Sequence, residues 1–155
     1  MVRALKLLTP QPAVGLPCEV KIELDAAIQD PYDPAELSVD AAVETASRKS
    51  AVPCFYFEPA AGELGGAGFR LRFLPTGAGS HRVVVAVKNA GGSTRSTPLD
   101  VQVAPRAWQG LLRVSKKNPQ ALTWESGAPA NLHGFNAFGD MHKRGAAIPS
   151  NNIDR

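Results

Sequence analysis

Cys18-Glu19-Val20-Lys21-Ile22-Glu23-Leu24-Asp25 alternates apolar and charged residues without a break. Successive side chains of a strand point to opposite faces, so Cys18, Val20, Ile22 and Leu24 share one face and the four charges share the other. Wound as a helix, the same residues would scatter charge into the core. The stretch predicts a strand with one buried face. Working outward, the alternation recurs: Leu37, Val39, Ala41 and Val43 inward against Ser38, Asp40 and Glu44, then Phe69, Leu71 and Phe73 against Arg70 and Arg72. Leu99, Val101 and Val103 alternate with Asp100 and Gln102. From Val83 to Val87 the apolar residues are consecutive, the pattern of a strand covered on both faces. With an N-terminal segment near residues 4–8 and another over Val52 to Phe57, about seven strands are predicted.

Turn chemistry separates them. Gln29-Asp30-Pro31-Tyr32-Asp33-Pro34, Pro75-Thr76-Gly77-Ala78-Gly79 and Asn89-Ala90-Gly91-Gly92 each supply Gly or Asn for positive φ, or Pro for a fixed φ. The Gly- and Ala-rich stretch from Glu58 to Gly68 reads as a flexible connection. Short strands with regular turns, 13 Pro and 14 Gly, and no amphipathic helix predict an all-β fold. Its expected form is an immunoglobulin-like β-sandwich of about seven or eight antiparallel strands with an irregular C-terminal tail, a closed barrel being the alternative. After Pro105 the character changes. Trp108 to Val114 reads as one more short strand, Ser115 to Pro119 as a polar joint, and Leu122 to Pro129 as a strand running into a tight turn. The expected organisation is a sandwich over 1–114 and, over 115–155, a mostly irregular linker with the start of a following domain.

At 155 residues and 44% hydrophobic, the chain has apolar material for one core. No run reaches the about 18 apolar residues of a membrane-spanning helix. The net charge of +3 hides an asymmetry: residues 1–69 sum to −5 and residues 70–155 to +8. In a sandwich the two halves interleave, so Glu19, Glu23 and Asp25 are expected to face Arg70 and Arg72. The basic spots, Arg113 with Lys116 and Lys117 and Lys143 with Arg144, are too short and too poor in aromatics for a nucleic-acid footprint. Cys18 and Cys54 leave two readings open, one disulfide or two buried thiols. Lys6 and Pro10 interrupt any signal-peptide core, so no targeting segment is visible.

Six ordered segments carry a resemblance. They are Asp30-Pro31-Tyr32-Asp33-Pro34, Leu37-Ser38-Val39-Asp40-Ala41, Val52-Pro53-Cys54-Phe55-Tyr56, Phe69 to Thr76 through Gly79, Gly110 to Ser115 with Asn118-Pro119, and Trp124-Glu125-Ser126-Gly127-Ala128-Pro129. Together they resemble the immunoglobulin-like domain of unknown function that precedes the (β/α)8 catalytic barrel of apiosidase-like glycoside hydrolases. Cys54 stands where that family tends to have glycine, and His81 where an aromatic commonly follows the glycine turn. Past Pro129 the similarity is loose, and the 26 residues there are far short of the about 200 a (β/α)8 barrel needs. The resemblance therefore implies a noncatalytic accessory module that packs against or positions a barrel domain, not an enzyme. It also implies an extracellular or periplasmic location.

Tests of other chemistry end in weak candidates. Glu125 and Asp140 come nearest to a glycosidase acid pair, but Glu125 sits in a turn. His133, Asp140 and His142 lie within ten residues, yet loop histidines more often are only solvated, and no metal or cofactor is expected. There is no Gly-x-Ser-x-Gly elbow and no phosphate-cradling glycine loop. Carbohydrate binding is the first alternative, through Tyr32, Phe55, Tyr56, Phe57, Trp108 and Trp124, although with aromatics at 6% the core is expected to use most of them. A second alternative is a structural or adhesive protein whose tail orders on a partner subunit. Trp108, Leu112, Trp124 and Phe135, near the exit from the sandwich, are the expected contacts with a following barrel domain, another protein subunit or a polysaccharide. Neither nucleic acid nor membrane is expected as a partner.

Overall fold

The computed structural model describes residues 1–25, 28–59 and 66–130, and the chain divides into two compact units, Met1–Gly110 and Leu111–Arg155. Among the described residues of the first unit there are nine strands and no helix: β1 Val2–Leu7, β2 Cys18–Leu24, β3 Leu37–Glu44, β4 Lys49–Pro53, β5 Phe55–Phe57, β6 Gly68–Phe73, β7 Gly79–Asn89, β8 Gly92–Arg95 and β9 Leu99–Val103. They form two antiparallel sheets, β1-β2-β6-β5 and β4-β3-β7, with β8 and β9 sharing the free edge of β7. Counting β8 and β9 as one interrupted strand gives eight strands in the order of immunoglobulin-type sandwiches, first-second-sixth-fifth facing fourth-third-seventh-eighth. The all-β sandwich read from the alternation is the fold observed.

The inner faces are the ones the alternation selects. Cys18, Val20, Ile22, Phe69, Leu71 and Phe73 from the first sheet meet Leu37, Val39, Ala41, Val43, Val83, Val85, Val87, Val101 and Val103 from the second, all buried. Each buried Val, Leu, Ile or Phe of this set contributes about 1.5–3 kcal/mol of burial, which locks the register because a one-residue slip would expose the whole set. Val84 and Ala86 are only half-buried, so the outer side of β7 lacks the cover its sequence pattern predicts.

Two segments differ from the reading above. Val52 to Phe57 is not one strand: β4 ends at Pro53 in the second sheet and β5 starts at Phe55 in the first. The chain changes sheet at Cys54, whose N–H donates to the Val39 carbonyl at 3.1 Å. Proline offers the ladder no donor, which suits Pro53 to the end of an edge strand. The same property explains the break near Pro98. There the Ser96 hydroxyl accepts the Val85 N–H at 3.0 Å, and the Ser96 N–H donates to the Val85 carbonyl at 2.8 Å.

The second difference lies after the sandwich. The strand expected over Trp108 to Val114 is confined to β10 Leu112–Val114, which pairs with β11 Leu122–Trp124, itself paired with β12 Pro129–Ala130. The polar joint between β10 and β11 is a turn in which the Ser115 hydroxyl accepts the N–H groups of Lys117 and Asn118, each at 3.3 Å. Residues 131–155, and 60–65 of the Glu58 to Gly68 connection, lie outside the described residues.

Candidate functional site

The most elaborate polar arrangement of the first unit lies on the outer face of the first sheet. Register sets Glu19 opposite Arg72 and Lys21 opposite Arg70, and Phe55 lies opposite Arg70 on the other side. Glu19 accepts from Arg70 Nη1 at 3.2 Å and from Arg72 Nε at 2.5 Å. Above them, the Arg70 guanidinium sits 3.4 Å from the centroid of Phe57, and Arg72 5.3 Å from that of Phe55. Arg70 is thereby only 6% exposed, against 53% for Arg72. Of the expected cross-strand set, Glu19 is the acid found bonded to both arginines. The burial of a charge on the polar side of the sheet was not legible in the alternation; the signal was the Phe55-Tyr56-Phe57 run, whose odd members had to go somewhere. Chemically, one carboxylate shared by two guanidinium groups is a structural tie between strands.

Other carboxylates are engaged in the same way. Glu36 accepts the N–H groups of Gln29 at 2.7 Å and Asp30 at 3.0 Å, while Asp30 and Asp33 accept those of Tyr32 and Ala35 within the same turn. Asp33 thus serves the backbone just ahead of it. Glu44 pairs with Lys49, whose hydrogen bond and charge lower its pKa. Glu125 accepts the Leu111 N–H at 3.0 Å and Arg113 Nε at 2.9 Å, and those contacts, the backbone donor foremost, lower its pKa. A glycosidase general acid needs the opposite shift. A cleft of about 100 Å³ between the sheets is lined by Met1, Leu24, Leu37, Val87 and the Asn89 to Thr94 turn, with no carboxylate on its walls.

The aromatics divide by role. Tyr56 meets Phe69 edge-on at 5.3 Å, Tyr32 meets Tyr56 edge-on at 5.6 Å, and Tyr32 is 64% exposed. Phe55, Tyr56, Phe57, Trp108 and Trp124 are half-buried. Trp108 covers Gly15 so closely that a Cβ there would lie 2.5 Å from Trp108 Cγ, and Gly15 has φ +75°. This packing is within the first unit, and nothing in the sequence around Gly15 announced it. In the second unit Leu112 and Trp124 lie directly opposite each other, both half-buried, beside Leu111 and the 61%-exposed Val114. Phe135, Asp140, His133 and His142 lie outside the described residues.

His81 was not read as a core residue, yet it is 4% exposed and stacked on Phe73 at 6.1 Å. The period of Val83, Val85 and Val87 carried two residues back would have found it. Both cysteines are free thiols, Cys18 fully buried and Cys54 half-buried. Burial pushes the Cys18 thiol up to about 11, with the Thr9 hydrogen bond opposing, and burial pushes Cys54 up to about 12. Among the described residues no three His, Cys, Asp or Glu side chains gather as a metal-ligand set.

Comparison with known proteins gives one likeness to report. No family model matches the sequence, and no curated protein matches it. A crystal structure described as a "putative glycoside hydrolase" from Bacteroides vulgatus ATCC 8482 superposes with a TM-score of 0.55 at 16% identity. The superposition covers 79% of this chain and 21% of that one, so the chain spans about a fifth of that protein's length. At this identity the likeness establishes a shared fold.

Proposed function

We propose that this chain is a noncatalytic accessory module of a glycoside-hydrolase-like protein, a β-sandwich that packs against or positions a catalytic barrel. Residues 115–155 then form the linker and the start of the following domain. The observation carrying this reading is the lopsided likeness: most of this chain corresponds to a minor part of a protein described as a glycoside hydrolase. It agrees with the resemblance read from the six sequence segments. The carboxylates support it too, since those bonded above are tied to arginine, lysine or backbone N–H groups and none lines the cleft. Leu112 and Trp124 are the proposed contacts with the barrel, next to the exposed Val114.

Exposed Tyr32, braced edge-on by Tyr56, favours a second reading as a carbohydrate-binding module, because sugar rings stack on aromatic faces. Three measurements on the full chain and its gene separate the two. The accessory reading expects a (β/α)8 barrel encoded in frame beyond Arg155, no turnover of aryl glycosides, and no retention on plant-type polysaccharides. Turnover by this chain alone overturns it. Retention that disappears in Tyr32→Ala replaces it with sugar binding.

A further inference from the structure

On the outer face of the second sheet, register brings four residues from four strands into one row. Lys49 lies opposite Glu44, Glu44 opposite Arg82, and Arg82 opposite Asp100. The charges alternate plus, minus, plus, minus from β4 to β9. The next row, toward the strands' other end, is small and apolar: Ala51 opposite Ala42 and Ala42 opposite Val84. Beyond it come Pro53, Asp40, Ala86 and Arg95. Lys49, Ala51, Pro53, Arg82, Arg95 and Asp100 are exposed, and Val84 and Ala86 half-exposed, so the face is open among the described residues. A strand whose residues are apolar on both sides wants a second layer, and here the outer side of β7 has none.

We infer that this face binds a second copy of the chain through a two-fold axis running parallel to the strands, between β3 and β7. Such an axis turns the row end for end. It sets Lys49 against the partner's Asp100 and Glu44 against the partner's Arg82, and each contact occurs twice, as an isologous interface requires. Ala42 then meets the partner's Val84, so the apolar strip closes on itself between complementary charges. Asp40 meets the partner's Ala86, and no like charges oppose. An axis across the strands fails this test, because it sets Glu44 against the partner's Asp40, and like-charge contacts are what suppress wrong pairings. Four strands at about 4.8 Å spacing and about five residues of each make a patch of about 19 by 17 Å, about 650 Å² over both copies, which is below the about 1,200 Å² of stable interfaces, so the dimer is weak, transient and concentration-dependent. The inference does not rest on the accessory-module reading.

Light scattering of the full chain tests it. The mass is expected to rise from 16.4 kDa toward twice that value between micromolar and high micromolar concentration, and to fall back in molar salt. Glu44→Arg and Arg82→Glu, each alone, remove the self-complementarity and are expected to stay monomeric. Mixed in equal amounts they restore every opposite pair, with four attractive contacts across the axis, and the dimer returns. That rescue also demonstrates that both variants are folded. A mass fixed at 16.4 kDa, single reversals that still dimerise, or a mixture that stays monomeric would each overturn the proposal.

Discussion

On the outer face of the first sheet Arg70 is 6% exposed, bonded to Glu19 and covered by Phe57, whereas on the outer face of the second Arg82 stands in solvent between Glu44 and Asp100. Both faces are the charged side of an alternating strand. The difference comes from their neighbours. The first sheet ends in β5, whose Phe55 and Phe57 reach over the arginines, and the Gly66 carbonyl lies 3.5 Å from Arg70 Nη2. The second sheet ends in β4, whose outward residues are Lys49, Ala51 and Pro53, too short or too hydrated to cover anything. A charged residue on the polar side of a sheet is thus solvated or buried according to the strand beside it.

The sharpest break in that comparison should come from Glu19→Ala. It leaves Arg70 buried without its carboxylate and is expected to lower stability by about 2–4 kcal/mol, read from the urea midpoint. Glu44→Ala on the other face, measured in dilute solution, should barely move the midpoint, because its partner Lys49 is 69% exposed. Equal losses would erase the distinction drawn between the faces. Next in size is Phe57→Ala, which uncovers Arg70 and removes a desolvated cation–π contact; a loss of about 1–3 kcal/mol is expected. Val84→Ala, its apolar counterpart on the second sheet, should lose less than half as much.

The faces differ outside, but they enclose one interior, and its thiols give a pH test. Cys18 and Cys54 ionise near 11 and 12 in the folded chain, against 9.0 for a free thiol. Above pH 9 the unfolded chain therefore releases protons that the folded chain still holds, so stability is full below pH 9 and falls as pH rises toward 11–12. At pH 10 the loss is about 1 kcal/mol per thiol, and a Cys18→Ala, Cys54→Ala double variant should show a flatter urea-midpoint profile from pH 8 to 10. A profile as steep as that of the parent chain would sink the assignment. The smallest effects belong to the exposed cations: Arg72→Ala and Lys49→Ala should each stay within about 0.5 kcal/mol, and molar salt should remove most of that.

Much of this was legible from residue order. Leu37 to Val43, Phe69 to Phe73 and Leu99 to Val103 turned their apolar members inward as the alternation required, and Asn89-Ala90-Gly91-Gly92 closed a hairpin, with the Asn89 side chain accepting the Gly91 N–H at 2.9 Å. Cys54 was harder. Val52 to Phe57 is apolar throughout, and nothing local says that the chain leaves one sheet and joins the other at that residue. Of the residues expected near the sandwich exit, Leu112 and Trp124 face each other within the second unit, and Trp108 is packed on Gly15 within the first.

The order of residues alone settled which side of each strand is oily, because period-two alternation is a relation between neighbours and needs no knowledge of distant chain. It also settled where the chain turns, since Gly, Pro and Asn act on their own φ angles. Tertiary structure decided which strands lie side by side. That choice buried Arg70 under Phe57, and it lined up Lys49, Glu44, Arg82 and Asp100 from strands far apart in sequence. Such juxtapositions depend on long-range register, which is fixed only when the inner faces close on one another and the outer residues are carried along with them.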